Sequence, residues 1–168
     1  MQPSASPDIT IRPATSADLP TLGRLGALLV QTHHDFDPRR FIPATPQTPA
    51  GYASFLGTQL DRPNALVLVA ERDGEVIGYT YAGIEGFDWM ALRGPAGVVY
   101  DILVDPGQRG HGAGRMLLEA AVAALEDRGA PRVVLSTAQG NEAAQRLFAR
   151  AGFRRTMIEM TREPGGGA

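Results

Sequence analysis

The chain has 168 residues, 43% of them hydrophobic, and a formal net charge of −2. That length suits one domain with its own core, and the absence of cysteine excludes disulfides, thiolate metal sites and thiol nucleophiles. Basic residues form no long run, which argues against a nucleic-acid partner, and no apolar stretch reaches the ~18 residues of a membrane span. The opening Met1-Gln2-Pro3-Ser4-Ala5-Ser6-Pro7 lacks the regions of a signal peptide, so a cytoplasmic location is expected. Residues 1–7 and 164–168 read as flexible tails around a single domain over 8–163.

Ile9-Thr10-Ile11 reads as a short strand ended by Pro13. Thr15 with Asp18 is a variant capping box that opens a helix, and Leu19, Leu22, Leu25, Gly26 and Leu29 mark its inner face. From His33 the prolines at 38, 43, 46 and 49 predict a loop, followed by a second helix over 49–61. Leu66–Ala70 and Val76–Ala82 are strands joined by the hairpin signal Asp73-Gly74. Residues 85–95 form a loop whose Phe87, Trp89 and Met90 are assigned by default to the core. A strand over Val98–Val104 stops at Asp105-Pro106-Gly107. A helix over Arg115–Leu125 with Gly129 at its C′ position follows, then a strand over Val133–Ser136. Asn141 caps a helix through Phe148, Gly152 closes it, and Phe153–Arg162 is a final strand.

Gly110, Gly112 and Gly114 lie between a strand and a helix. Glycine allows close backbone approach and positive φ, and the first amides of a helix have no internal partner, so the segment can cradle phosphate. The glycines alone also fit a plain turn that starts a helix. A dinucleotide fingerprint starting at Gly110 and Gly112 fails at Arg115. A P-loop read from Gly107 and Gly112 fails because Ala113 and Gly114 stand where Lys and Ser or Thr are needed. What remains is a cradle for a pyrophosphate that is held and not cleaved.

Arg109-Gly110-His111-Gly112-Ala113-Gly114 resembles the [QR]-x-x-G-x-[GA] motif of the GCN5-related N-acetyltransferases, the GNAT superfamily. Tyr100-Asp101-Ile102-Leu103-Val104-Asp105-Pro106 looks like that family's fourth strand. Asn141-Glu142-Ala143-Ala144 through Gly152-Phe153 looks like its N-x-x-A…G-F helix, and Ile11-Arg12-Pro13-Ala14 with Asp18 resembles its opening. The resemblance covers residues 8–162. It implies a mixed, mostly antiparallel twisted α/β sheet of about six strands, flanked by about four helices, with strands four and five splayed.

It further implies an N-acetyltransferase that moves an acetyl group from acetyl-CoA directly to a primary amine of a small molecule or protein. Backbone amides of Arg109, Gly110, His111, Gly112, Ala113 and Gly114 would hold the coenzyme A pyrophosphate. Leu103 and Val104 would pair with the pantetheine arm, and Asn141 and Phe148 would contact the coenzyme. The family often has a tyrosine acid where Phe148 stands, and phenylalanine cannot donate a proton. That departure keeps open a catalytically inactive acyl-CoA-binding module. Tyr100 and Asp101 are the nearest candidates for proton handling, with Ser136 a weaker one. Strand alternation sends Tyr100 and Asp101 to opposite faces. His33 and His34 follow the first helix, where the family builds its acceptor site, so they are candidates for substrate binding. No metal site is expected. A single strand after Gly152 would leave a sheet edge open, which a homodimer could cover.

Overall fold

A computed structural model describes residues 8–165. The expected tail at 1–7 lies outside them, as do residues 166–168 of the expected tail at 164–168. In chain order the elements are β1 (Thr10–Pro13), α1 (Leu19–Phe36), α2 (Thr48–Gly57), β2 (Ala65–Arg72) and β3 (Glu75–Glu85). Then come β4 (Ala96–Val104), α3 (Ala113–Asp127), β5 (Val133–Leu135) and α4 (Glu142–Arg150).

The five strands form one sheet in sequence order, antiparallel except for the parallel pair β4–β5. The β2–β3 turn is the expected hairpin, with positive φ at Asp73 and Gly74. The first helical layer is anchored by charge. The Asp18 carboxylate accepts from Arg12 Nη1 and from the Thr15 N–H, each at 2.8 Å, and Arg12 Nε also donates to Glu71 at 2.8 Å. The guanidinium holds the Asp18 carboxyl below its ordinary value.

Period-2 alternation splits the core into two layers. Leu68, Ala70, Ala82 and Val99 pack against Leu117, Ala121 and Leu125 of α3. Val67, Val69, Tyr79 and Leu103 pack against Leu22 and Leu25 of α1 and Leu56 of α2. The two helices of that second layer approach closely through glycine. A Cβ on Gly23 would stand 2.3 Å from the Pro49 carbonyl oxygen, and one on Gly26 would stand 2.0 Å from the Tyr52 ring.

Three expectations are corrected. α1 runs on to Phe36, so His33 and His34 are helical: proline stops a helix only near itself, and the first one is Pro38. Phe87, Trp89 and Met90 are not core. They sit on the β3–β4 connection, at 72%, 76% and 91% exposure, because the Asp88–Arg93 bridge turns that segment out of the sheet. Residues 153–163 join no ladder, so the sheet has five strands. Side-chain ion pairs hold that stretch instead, with Arg40 engaging Glu159 and Arg39 reaching Glu163 at 3.2 Å.

The glycine contact is directly testable. Gly26→Ala drives a methyl group into Tyr52 and should cost at least about 2 kcal/mol in urea unfolding. Gly51→Ala, which meets nothing within 4 Å, should instead gain about 0.5–1 kcal/mol from helix propensity.

Candidate active site

β4 and β5 pair only through Gly97–Val99 and Val133–Leu135. β4 then continues to Val104 with its β3 partner but without β5. Asp105 N donates to Ile77 O at 2.8 Å, which sets the phase of the β3–β4 ladder. Leu103 therefore turns its backbone polar groups toward β3, while Ile102 and Val104 turn theirs toward the open side. Two contacts agree. Thr80 Oγ1 donates to the Asp101 carbonyl on the β3 side at 2.8 Å, and Arg109 Nε donates to the Val104 carbonyl at 3.2 Å. Of the expected pair Leu103 and Val104, Val104 is the one whose backbone faces the open side, with its carbonyl held by Arg109 and its N–H without a protein partner, and Ile102 joins it.

The opening continues into the glycine segment. Asp105 caps a short turn over Pro106–Gln108 by accepting from Gly107 N at 3.1 Å. Gly110 and Gly112 then take φ of 86° and 85°, a region that costs other residues about 1–2 kcal/mol. Gly112 is the N-cap of α3. Among the described residues, no acceptor is bonded to the amides of Arg109 through Arg115. Residues 109–112 are exposed, and a Cβ on Gly110 or Gly112 would enter empty space. Free amides, a helix N-terminus and bare backbone are what an anionic group requires. Gly114 packs the start of α3 near Leu147 and Val104.

A cavity of about 260 Å³ fills the gap between β4 and β5. It takes its walls from the end of α1, the loop at Phe41 and Ile42, the splayed part of β4, the end of β5 and α4. Tyr100 and Asp101 both line it, against the alternation rule. The cause is a β-bulge. Tyr81 pairs with Asp101 and Ala82 with Val99, so Tyr100 is the extra residue. Its ring lies on Tyr81 at 4.8 Å between centroids, and its hydroxyl donates to Glu85 Oε1 at 2.6 Å. Burial and the Glu85 carboxylate push the Tyr100 hydroxyl above its ordinary pKa, which keeps it protonated.

Asp101 is held differently. Its Oδ2 accepts from Tyr79 at 3.1 Å and also from the Tyr52 hydroxyl. Among the described residues no buried side-chain oxygen lacks a partner, and Oδ1 has none assigned, so Oδ1 meets the cavity. Burial pushes the Asp101 carboxyl above its ordinary value, against the two tyrosine hydroxyls and the charge of His33. Tyr52 and Tyr79 were missed in the sequence because their spacing reads as core face. The cue was a tyrosine, rather than a leucine, facing a strand that carries aspartate.

The remaining candidates separate. His33 lines the cavity, its Nδ1 bonded to the Leu29 carbonyl at 2.9 Å and its ring edge-on to Phe41 at 5.1 Å. The carbonyl requires Nδ1 to carry the proton, which leaves the Nε2 lone pair unassigned. His34 is not in the lining. Its Nδ1 bonds the Phe41 carbonyl at 2.8 Å and fixes the loop. Asn141 does two things, capping α4 through Ala144 N at 3.2 Å and lining the cavity. Phe148 is buried and forms cavity wall beside Phe153, and Ser136 also lines the cavity. His111 is exposed on the glycine segment. Among the described residues, no group of three His, Asp or Glu side chains could hold a metal, and no helix is long and apolar enough to cross a membrane.

A mixed sheet that opens between its fourth and fifth strands, with an amide cradle at the opening, defines the acetyltransferase type of fold. The chain belongs to the acetyltransferase (GNAT) family, whose model matches residues 29–153. It is 40% identical over 96 residues to a mycothiol acetyltransferase from Thermobispora bispora, a match that covers 55% of this chain and 31% of that protein. The matches thus span about a third of the length of such curated relatives. An aminoglycoside N-acetyltransferase in complex with CoA has the same fold, with TM-score 0.70 and 18% identity over 99% of this chain and 100% of that one. So does a GCN5-related N-acetyltransferase from Ralstonia eutropha JMP134, with TM-score 0.69 and 23% identity over 95% of this chain and 100% of that one.

The raised carboxyl has a consequence for stability. A folded pKa above the unfolded one gives stability that is full below the unfolded value, about 4, and is lost as pH rises through the folded value. Above the folded value the ionised Asp101 therefore destabilises the fold. Asp101→Asn keeps an oxygen for both tyrosines and should raise the thermal midpoint at pH 8 while changing it little at pH 4.

Proposed function

We propose that this domain transfers an acetyl group from acetyl-CoA to a primary amine within a ternary complex. The observation that carries this reading is an order of groups along one strand. Asp101 meets the cavity, the backbone of Ile102 and the Val104 N–H face the open side of β4, and the unbonded amides of 109–115 follow at its end. The unfilled space beside Gly110 and Gly112 fits a pyrophosphate in close contact with the backbone. The names of the relatives support acetyl as the group moved.

Acetyl-CoA would supply an activated thioester. Residues 109–114 would donate N–H bonds to its pyrophosphate, with Arg109 adding charge. The N–H and C=O groups of Ile102 and the N–H of Val104 would pair with the pantetheine arm as a strand does, and an N–H on that edge would polarise the thioester carbonyl. An amine arrives mostly as ammonium and must lose a proton to attack. Asp101 Oδ1, facing the cavity with a raised pKa, would take that proton. As the N–C bond forms, the C–S bond breaks, the thiolate carries off the electron pair, and the second proton lost by the nitrogen ends on that thiolate, giving free coenzyme A. A thiol with an ordinary pKa near 8.5 leaves without help, so Phe148 in place of an acid does not block the reaction. Tyr52 and Tyr79 would hold the carboxylate in position. The outer edge of β5, unpaired among the described residues, is where a second copy would pair.

Two variants test separate parts. Gly112→Val should remove most coenzyme A affinity in calorimetry while the chain still unfolds cooperatively, and unchanged affinity would refute the cradle. Asp101→Asn should retain that affinity and lower kcat/KM by roughly 10²–10⁴-fold, the usual share of a positioned base. Binding of acetyl-CoA with no coenzyme A release on any amine would instead favour the inactive binding module.

A further inference from the structure

The acceptor side of the cavity has a definite chemical character. Leu29, Val30, Phe41 and Ile42 give it an apolar wall. Its charged or titratable lining is Asp101, Tyr100 and His33, and no Lys or Arg is among the lining residues. The arginines nearest in sequence to that wall are occupied. Arg40 lies over the Phe41 ring at 4.8 Å and engages Glu159, and Arg39 engages Glu163. On the other side Arg93 donates to Glu85 at 2.5 Å, and the same carboxylate accepts from Tyr100. Each arginine is thus matched by a glutamate, and Asp101 is the carboxylate without an arginine partner.

An ammonium entering this space meets a carboxylate and apolar surface. A carboxylate or phosphate carried on the same substrate would meet Asp101 and find no arginine, while His33, the one lining group able to carry positive charge, already acts on Asp101. From this, and resting on the acetyl-transfer reading above, we infer that the acceptor is a compact primary amine. It carries an apolar substituent seated on Leu29, Val30, Phe41 and Ile42 and has no acidic group near the nitrogen. α-Amino acids are then excluded by charge, and their decarboxylated counterparts are accepted.

The test is a comparison of matched pairs, phenethylamine against phenylalanine and isoamylamine against leucine, by kcat/KM with acetyl-CoA on the intact protein. The decarboxylated member should win by at least about 100-fold, the effect expected of a like charge placed beside a part-buried carboxylate with no arginine partner. Equal rates, or faster turnover of the amino acids, would overturn the inference and leave acetyl transfer standing. No coenzyme A release with any of the four, alongside release with some other amine, would overturn the inference and leave acetyl transfer standing. A second variant separates charge from shape. Ile42→Arg adds a cation at a wall position that is 75% exposed, so folding is little affected. It should narrow the ratio within each pair at least tenfold by helping the carboxylated member, and an unchanged ratio would overturn the charge argument.

Discussion

The structure depends on a ladder that stops early. β4 is nine residues long but pairs with β5 through only three of them, while it stays bonded to β3 along its length. An edge released in this way would normally be a liability, since unpaired N–H and C=O groups invite other strands. Here the release is internal. It is covered by the end of α1, its following loop and α4, and the glycine segment follows at the end of β4. The cavity and the outward-turned backbone of Ile102 and Val104 both follow from that single interruption.

The two faces of β4 contribute different chemistry. The α3 face is aliphatic, with Val99 packed on Leu117 and Leu125, and keeps the strand rigid. The face toward α1 and α2 carries Asp101 and Tyr100, with Tyr79 and Tyr81 of β3 and Tyr52 of α2 around them. Burying a charge there is costly, and part of that cost is offset by two hydroxyl donors on one oxygen. Leaving the other oxygen to the cavity retains reactivity that a fully bonded carboxylate would lose. Gly23 and Gly26 matter to the same feature, because α2 can bring Tyr52 to Asp101 only if α1 lets it approach.

Much of this was legible in the sequence. The element order through α4, the glycine segment and the splayed strands follow from turn residues, periodicity and a motif resemblance. The errors share a cause: local pattern does not report which surfaces tertiary structure supplies. Phe153–Arg162 follows Gly152 where a closing strand is expected, yet no neighbour pairs with it. Phe87, Trp89 and Met90 are apolar enough for a core that the chain does not build around them. Tyr52 and Tyr79 sit at core spacing, and the buried carboxylate that gives their hydroxyls a purpose lies 49 and 22 residues away. The placement of Tyr100 beside Asp101 was out of reach for another reason. Period-2 reasoning assumes equal counts on paired strands, and a bulge breaks that assumption.

That bulge ties the composition of the site to chain length more than to residue type. The one unmatched position between Val99 and Asp101 decides which side chains share the cavity face. Loss of that one residue would make Tyr81–Asp101 and Ala82–Val99 consecutive pairs, restore regular alternation and take Tyr100 off the cavity face, while every other side chain kept its face. Insertions and deletions, more than substitutions, are therefore the events by which a site of this kind would acquire a new chemistry, and aligned relatives with identical residues but a different count here would not share it.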